Sequence, residues 1–560
     1  MQAEASGGAA EPLPSPPPSG GGAPAGATSP GAARRGYERT IGSLSRGTAV
    51  MMAATIVFVL LQFLTRVLVT RNVSVDEWGE FNLGLAFANF LALIAAFGIP
   101  PATARSIAFE ETLAARLGLV KKALTVSLPV AVASAVLVYV FADALAAPFH
   151  GPELPDVFRL FAVSISLTML SNVVVGIFQG LERAEPNALF LQILNPSLFF
   201  AFTALAIGFH LGFTGVLWAY VLSWVGASAA LGAYSYRRLP ALLRSDSGHA
   251  FTGDESARVG FVELSVTLFG VAALTYLTSY ADTLLLGVFR PEAIVGEYSS
   301  AMNLARLLLV GTGTVTFIFL PVSSRLRRER DFAGIRRTYV TVTRWMALLT
   351  LPFTFLFAFD PVFSLAFTFG PLQTGGATAL QILVVVNTVS ILLGPSTATL
   401  GGLGRTSEVL RFTLLSAFTN FALCLVLIPP YGMIGAAVAW SVARFMFPAL
   451  ALIRVYQLHG VTPFARHFVV PLAVSAVVLC PIFYFILPAP TLRWIVLFLA
   501  LPFVVLVGAI LATRSVDQGD VFFARLAERR FGSVLRPIRR LLESRQTPET
   551  AAEPGWPAGG

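Results

Sequence analysis

Charge is scarce in this chain. Its 560 residues include 39 basic and 30 acidic side chains, 12% of the total, about half the share of a soluble domain. Seven of these lie before Gly47 and fourteen from Arg514 onward, so the long middle is nearly uncharged. That excludes a water-soluble enzyme or a nucleic-acid-binding domain. Cysteine is almost absent too. Cys424 and Cys480 each sit in an apolar run, as small buried side chains rather than a disulfide or metal pair. The five histidines are scattered without metal-ligand spacing. No phosphate-cradling loop, G-x-S-x-G elbow or nucleotide signature occurs. No cofactor and no enzyme activity are expected.

Apolar runs of about 20 residues recur from end to end, each long enough to cross a bilayer as a helix. Fourteen are expected, at 48–69, 81–99, 123–146, 158–177, 189–209, 214–234, 262–288, 295–320, 340–359, 377–394, 409–428, 433–455, 468–487 and 492–511. The fold class is an all-α polytopic membrane protein. Its expected parts are a disordered cytosolic tail (1–43), a six-helix lobe (44–236), a cytosolic linker (237–260), a second six-helix lobe (261–456), a helix pair (457–513) and a tail (514–560). The last tail alternates Phe522, Phe523, Leu526 and Phe531 with Arg525, Arg529, Arg530 and Arg536, a basic amphipathic pattern suited to anionic lipids.

Orientation follows from the basic residues, which concentrate in cytoplasmic loops. With these spans, 30 of the 39 fall on one side, and only Arg71, Arg290 and Arg493 on the other. Both termini are therefore expected in the cytosol. The outward loops are short, which argues against a membrane glycosyltransferase or polymerase.

The halves repeat at nearly constant offset. Gly79-Glu80-Phe81 precedes Gly296-Glu297-Tyr298 by 217 residues, Gly180-Leu181-Glu182-Arg183 precedes Gly402-Leu403-Gly404-Arg405 by 222, and Gly215 precedes Gly435 by 220. Duplicated bundles leave this trace. With an even number of helices in each unit, the copies share one orientation about an axis along the membrane normal, with a transport cavity between two lobes.

Ionisable residues deep in a bilayer need a cavity or a partner. Arg66, Arg159 and Arg411 sit near helix ends and are expected to snorkel to headgroups. Arg306, eleven residues into its helix, lies about 17 Å deep, and Arg444 is similarly central. Both are expected to line the cavity, with a buried ion pair as the competing role. Ser299, Asn303 and Arg306 share one helix face, and the repeat maps Ser299 to Asn82 and Arg306 to Asn89, so all five are expected to face a shared interior. Asp282 is a site for an arginine partner, a proton or a cation. Arg344, near the inner end of its helix, is expected either to meet a headgroup at the cytosolic entrance or to snorkel.

The segments RVLVTRNVSVDEWGEFNLGLAFANFLALIAAFGIPPATARSIA, GIFQGLERAEPNALFLQIL and YADTLLLGVFRPEAIVGEYSSAMNLARLL, within a span from Leu44 to Leu511, resemble the polysaccharide-type flippases of the multidrug/oligosaccharidyl-lipid/polysaccharide exporter superfamily. The resemblance implies two six-helix lobes, an added helix pair and alternating access that carries a polyprenyl-(pyro)phosphate-linked glycan outward across the plasma membrane. The implied partners are that lipid-linked glycan, anionic lipids, and glycosyltransferases or a polymerase of the same pathway. Central arginines suit a diphosphate, because guanidinium is permanently charged and bidentate. The alternatives are a cation-coupled multidrug exporter on the same fold and a peptidoglycan-precursor flippase.

Overall fold

The computed structural model describes residues 51–245, 261–483 and 492–513 apart from isolated positions, together with Ser544. The expected tails at 1–43 and 514–560 and most of the linker at 237–260 lie outside the described residues, apart from Ser544.

No β-strand occurs among the described residues. The first half comprises α1 (Ala53–Thr70), α2 (Val75–Ala96), α3 (Ile99–Phe109), α4 (Leu113–Val140), the short α5 (Ala142–Ala146), α6 (Leu154–Gly180), α7 (Asn195–Gly208) and α8 (Gly212–Ser245). The second comprises α9 (Phe261–Phe289), α10 (Glu292–Arg328), α11 (Phe332–Phe359), α12 (Pro361–Phe369), α13 (Ala377–Leu393), α14 (Pro395–Gly402), α15 (Thr406–His459), α16 (Arg466–Pro481) and α17 (Leu492–Ala512). In the first half α4 packs on α6 and α7 on α8; in the second α9 and α13 pack on α15. The halves meet where α2 crosses α10 and α9, and where α3 meets α9.

Ten stretches among the described residues are long and apolar enough to span a membrane, which does not confirm the expected count of fourteen. The two spans expected at 409–428 and 433–455 lie in the stretch Ser407–His459 as two helices joined across a kink at Gly432, while Phe468–Pro481 and Ala500–Ala512 are apolar but shorter. The long stretch is bent rather than straight. Pro429 and Pro430 withdraw two helix donors, and Gly432 takes φ 56° and ψ −130° inside it. Arg290 Nη2 donates to the Pro429 carbonyl at 2.5 Å, satisfying an acceptor at the bend. The chain is a multi-pass membrane protein. Its outward-facing Val136, Leu137, Tyr139, Val140, Phe418 and Val426 are each more than half exposed, an apolar surface that only lipid satisfies.

Local chemistry explains the entry to α2. Ser74 caps it reciprocally: its hydroxyl accepts the Glu77 N–H at 3.2 Å and the Glu77 carboxylate accepts the Ser74 N–H at 2.6 Å. At the other end Phe97 and Gly98 both turn left-handed, and Pro100 and Pro101 start α3. A Cβ at Gly98 would lie 2.1 Å from the Ser265 carbonyl oxygen, so only glycine lets α9 come this close.

Two expectations about single side chains change. Arg159 does not snorkel alone but pairs with Asp143 and Asp156, each at 2.7 Å. Cys424 is buried as expected, but Cys480 is exposed and both are free.

Candidate functional site

A cavity of about 710 Å³ opens inside the first half and reaches across to α9 and α10. Its floor is aromatic. Trp78 stacks on Phe81 at 5.7 Å, and Phe81 stacks on Phe199 and meets Tyr220 edge-on. Trp78 Nε1 donates to Ser300 Oγ at 3.1 Å and Ser300 Oγ donates to Gln373 Oε1 at 3.0 Å. This buried chain ties α2 to α10 and to the 3-10 turn Pro371–Gly376.

Two cations meet at mid-depth. Arg66 on α1 donates from Nη1 to Asn303 Oδ1 on α10 at 2.6 Å. Arg306, one turn further along α10, donates from Nη2 to the Ser279 carbonyl at 2.8 Å and lies 5.5 Å from the centre of the Tyr280 ring. Arg66 and Arg306 are within electrostatic range of each other. No Asp, Glu, Lys or His is among the described residues lining this cavity, so the two positive charges have no counter-charge in the wall itself; the buried Asp282 outside the lining is within electrostatic range of Arg306. Two like charges in a low-dielectric recess repel unless an anion joins them.

The structure brings Asn82, Asn89, Asn303 and Arg306 into the lining and leaves four other expected residues outside it. Asn82 and Asn89 donate to the Trp78 and Leu85 carbonyls at 2.7 and 2.9 Å, which leaves each amide oxygen as an acceptor. Ser299 is buried in helix packing instead. Asp282 is fully buried, and its Oδ2 accepts the Tyr298 hydroxyl. Arg344 is buried on α11. Arg444 is exposed on α15 outside the lining, though within electrostatic range of Arg306.

Arg66 is the main correction. Its place near the end of a hydrophobic run suggests snorkelling, whereas its side chain turns into the cavity to reach Asn303. Sequence reasoning also passed over Gln62, Asn172, Asn187, Gln192 and Asn195, all in the lining. A signal was present: six of the chain's nine asparagines line this one cavity, which background helix-to-helix bonding does not explain. Among the described residues no group of three or more His, Cys, Asp or Glu could hold a metal.

A family model described as "Polysaccharide biosynthesis protein" matches residues 44–327. A probable low-salt glycan biosynthesis flippase, Agl15 of Haloferax volcanii, is 25% identical over 173 residues, covering 30% of this chain and 36% of that protein. The chain thus spans about a third of the length of the curated relatives it matches. Among solved structures, the lipid II flippase MurJ in an inward closed conformation aligns with TM-score 0.65 at 14% identity, covering 82% of this chain and 98% of that one. An inward-facing multidrug resistance MATE transporter of the MOP superfamily aligns with TM-score 0.57 at 17% identity, covering 74% and 99%. At such identity the likeness to these structures shows the fold alone, and the match over half the chain shows the family: this protein belongs to the polysaccharide biosynthesis protein family.

Proposed function

We propose that the protein flips a polyprenyl-(pyro)phosphate-linked oligosaccharide across the plasma membrane, from the cytosolic to the outer face, by alternating access. The observation that carries this is the pair Arg66 and Arg306, the only charged residues among those described in the cavity wall. A phosphate oxygen is the natural common partner for two guanidiniums that otherwise bond separate neutral acceptors, Asn303 for Arg66 and the Ser279 carbonyl for Arg306. In this reading Arg66, Arg306, Asn303, Asn82 and Asn89 contact the headgroup. Arg444 adds to the positive field from α15, and Ser299, Asp282 and Arg344 shape the surrounding helices. The two lobes at 44–236 and 261–456 rock about their interface, with both termini in the cytosol, and the glycosyltransferases of the same pathway supply the load.

Energetics favour the outward direction. With the interior negative, each negative charge moved outward gains about 2.3 kcal/mol per 100 mV. One observation favours the cation-coupled alternative: Asp282 is buried with no hydrogen-bond partner for its Oδ1, as a proton or cation site requires.

Arg306→Ala in cells that depend on this chain for their surface glycan tests the proposal. The expected result is loss of the glycan at unchanged protein level and membrane insertion. Normal glycan in that variant removes Arg306 from the site and overturns the reading.

A further inference from the structure

One wall of the cavity has a chemistry that the arginines do not explain. The segment Asn187–Leu194 is wound as a π-helix, and the Asn195 N–H closes it by donating to the Phe190 carbonyl five residues back. Pro196 gives the reason: it has no N–H to offer, and its ring would clash with the carbonyl four residues before it, that of Gln192. The wider winding matters for function. In an α-helix Asn187 and Gln192, five apart, would diverge by about 140°, whereas i→i+5 winding brings residues five apart onto one face. Asn187, Gln192 and Asn195 therefore all reach the cavity, facing Gln62 on α1 and Asn172 on α6.

Several of these amides lack a protein partner for a donor. Asn195 is 6% exposed and its Nδ2 has no hydrogen-bond partner, and the same holds for Asn303 Nδ2. Gln192 Oε1 accepts from Thr55 at 3.2 Å, leaving its Nε2 free to donate. Buried amide donors left unmade cost stability, so a wall that keeps them awaits an acceptor.

We propose that this carboxamide wall is a subsite for an uncharged sugar ring, the one nearest the phosphates of the transported lipid. It rests on the proposed flippase reading and assigns a second part of the same cavity. A carboxamide offers two donors and an acceptor without charge, which matches vicinal hydroxyl or acetamido groups. Phe58 adds a flat apolar face to the same space, and Tyr276 and Trp224 add faces with polar tips. The volume of about 710 Å³ falls among sites that enclose one small ligand, roughly 300–1,000 Å³. That space admits a diphosphate headgroup with its first sugar.

The test measures binding of two probes, undecaprenyl diphosphate and undecaprenyl diphosphate-N-acetylglucosamine, to the full chain in detergent. The unaltered protein is expected to prefer the glycosylated probe. The double variant Asn187→Leu/Gln192→Leu loses that preference by about tenfold, equivalent to one or two net hydrogen bonds, with bare diphosphate unaffected. Asn195→Leu removes a donor that no protein group needs, so it reports on the same subsite without a folding penalty. Equal affinity of the unaltered protein for both probes, or a preference untouched by these variants, overturns the sugar subsite. So does an equal loss for both probes. Arg306→Gln weakens both probes; if it weakens neither, the headgroup reading fails, which the amide variants do not touch.

Discussion

Gly79 and Gly296 face one another where α2 crosses α10, and their contacts are reciprocal. A Cβ on Gly79 would lie 2.0 Å from the Glu292 carbonyl oxygen, and a Cβ on Gly296 would lie 2.3 Å from the Val75 carbonyl oxygen. Val75 and Gly79 precede Glu292 and Gly296 by the same 217 residues. Residue i of one copy thus touches j of the other while j touches i, the signature of a two-fold contact between like surfaces. The residues that follow extend the correspondence. Glu80 packs against Gly151 of the first half and Glu297 against Gly375 of the second.

Substituting alanine at this crossing forces backbone apart, because the opposing atoms are carbonyls rather than mobile side-chain ends. Gly79→Ala and Gly296→Ala are each expected to cost about 1–3 kcal/mol or more, read as a lowered thermal midpoint of the purified protein. The same change at Gly118, which has nothing within 4 Å of a built Cβ, is expected to be neutral.

The acids beside the crossing hold a loop. Glu80 accepts the Glu153 N–H at 3.2 Å and Glu292 accepts the His150 N–H at 2.9 Å, and both carboxylates are buried. Glutamine keeps the accepting oxygen and alanine does not. Glu292→Ala is therefore expected to lose about 1–3 kcal/mol in chemical or thermal unfolding, and Glu292→Gln less than half of that.

Tyr298 and Asp282 form a buried pair between α10 and α9. Tyr298→Phe leaves the carboxyl without that donor and is expected to destabilise by about 1–3 kcal/mol. Adding Asp282→Asn to it restores part of the loss. A double-mutant cycle in thermal unfolding measures the coupling, and strictly additive effects contradict a direct bond.

Arginine geometry at mid-depth resists conservative exchange. Lysine keeps the charge but not the planar fork, so Arg66→Lys cannot hold Asn303 and a phosphate oxygen together. Transport by Arg66→Lys is expected to fall at least tenfold, close to that of Arg66→Gln. Rates near those of the unaltered protein show that charge alone suffices there.

Much of this architecture is legible in the amino-acid order because apolar runs and loop charges are one-dimensional signals. The Gly-Glu repeat and the depth of Arg306 belong to the same class. Helix direction relative to neighbours is not written in that way. Arg66 near the end of its run looks identical whether it turns to a headgroup or to Asn303, and packing between α1 and α10 decides. Ser299 shares a face with Asn303 and Arg306 by spacing alone, yet it is packed away where α10 is covered by its neighbours. The π-wound segment before Pro196 escaped because its periodicity differs from that of an α-helix, so its amides are out of phase with any α-helical template. The break between the spans expected at 409–428 and 433–455 is legible, because Pro429, Pro430 and Gly432 mark it, and the structure has two helices that meet there across a kink.

The most direct measurement reconstitutes the full chain in liposomes that carry a fluorescent polyprenyl diphosphate-linked sugar on one leaflet, and follows its arrival at the other with an impermeant quencher. The unaltered protein is expected to move the lipid, and Arg66→Gln/Arg306→Gln to leave it at the rate of protein-free liposomes. Equal transport by the double variant would contradict an arginine-held phosphate as the basis of recognition.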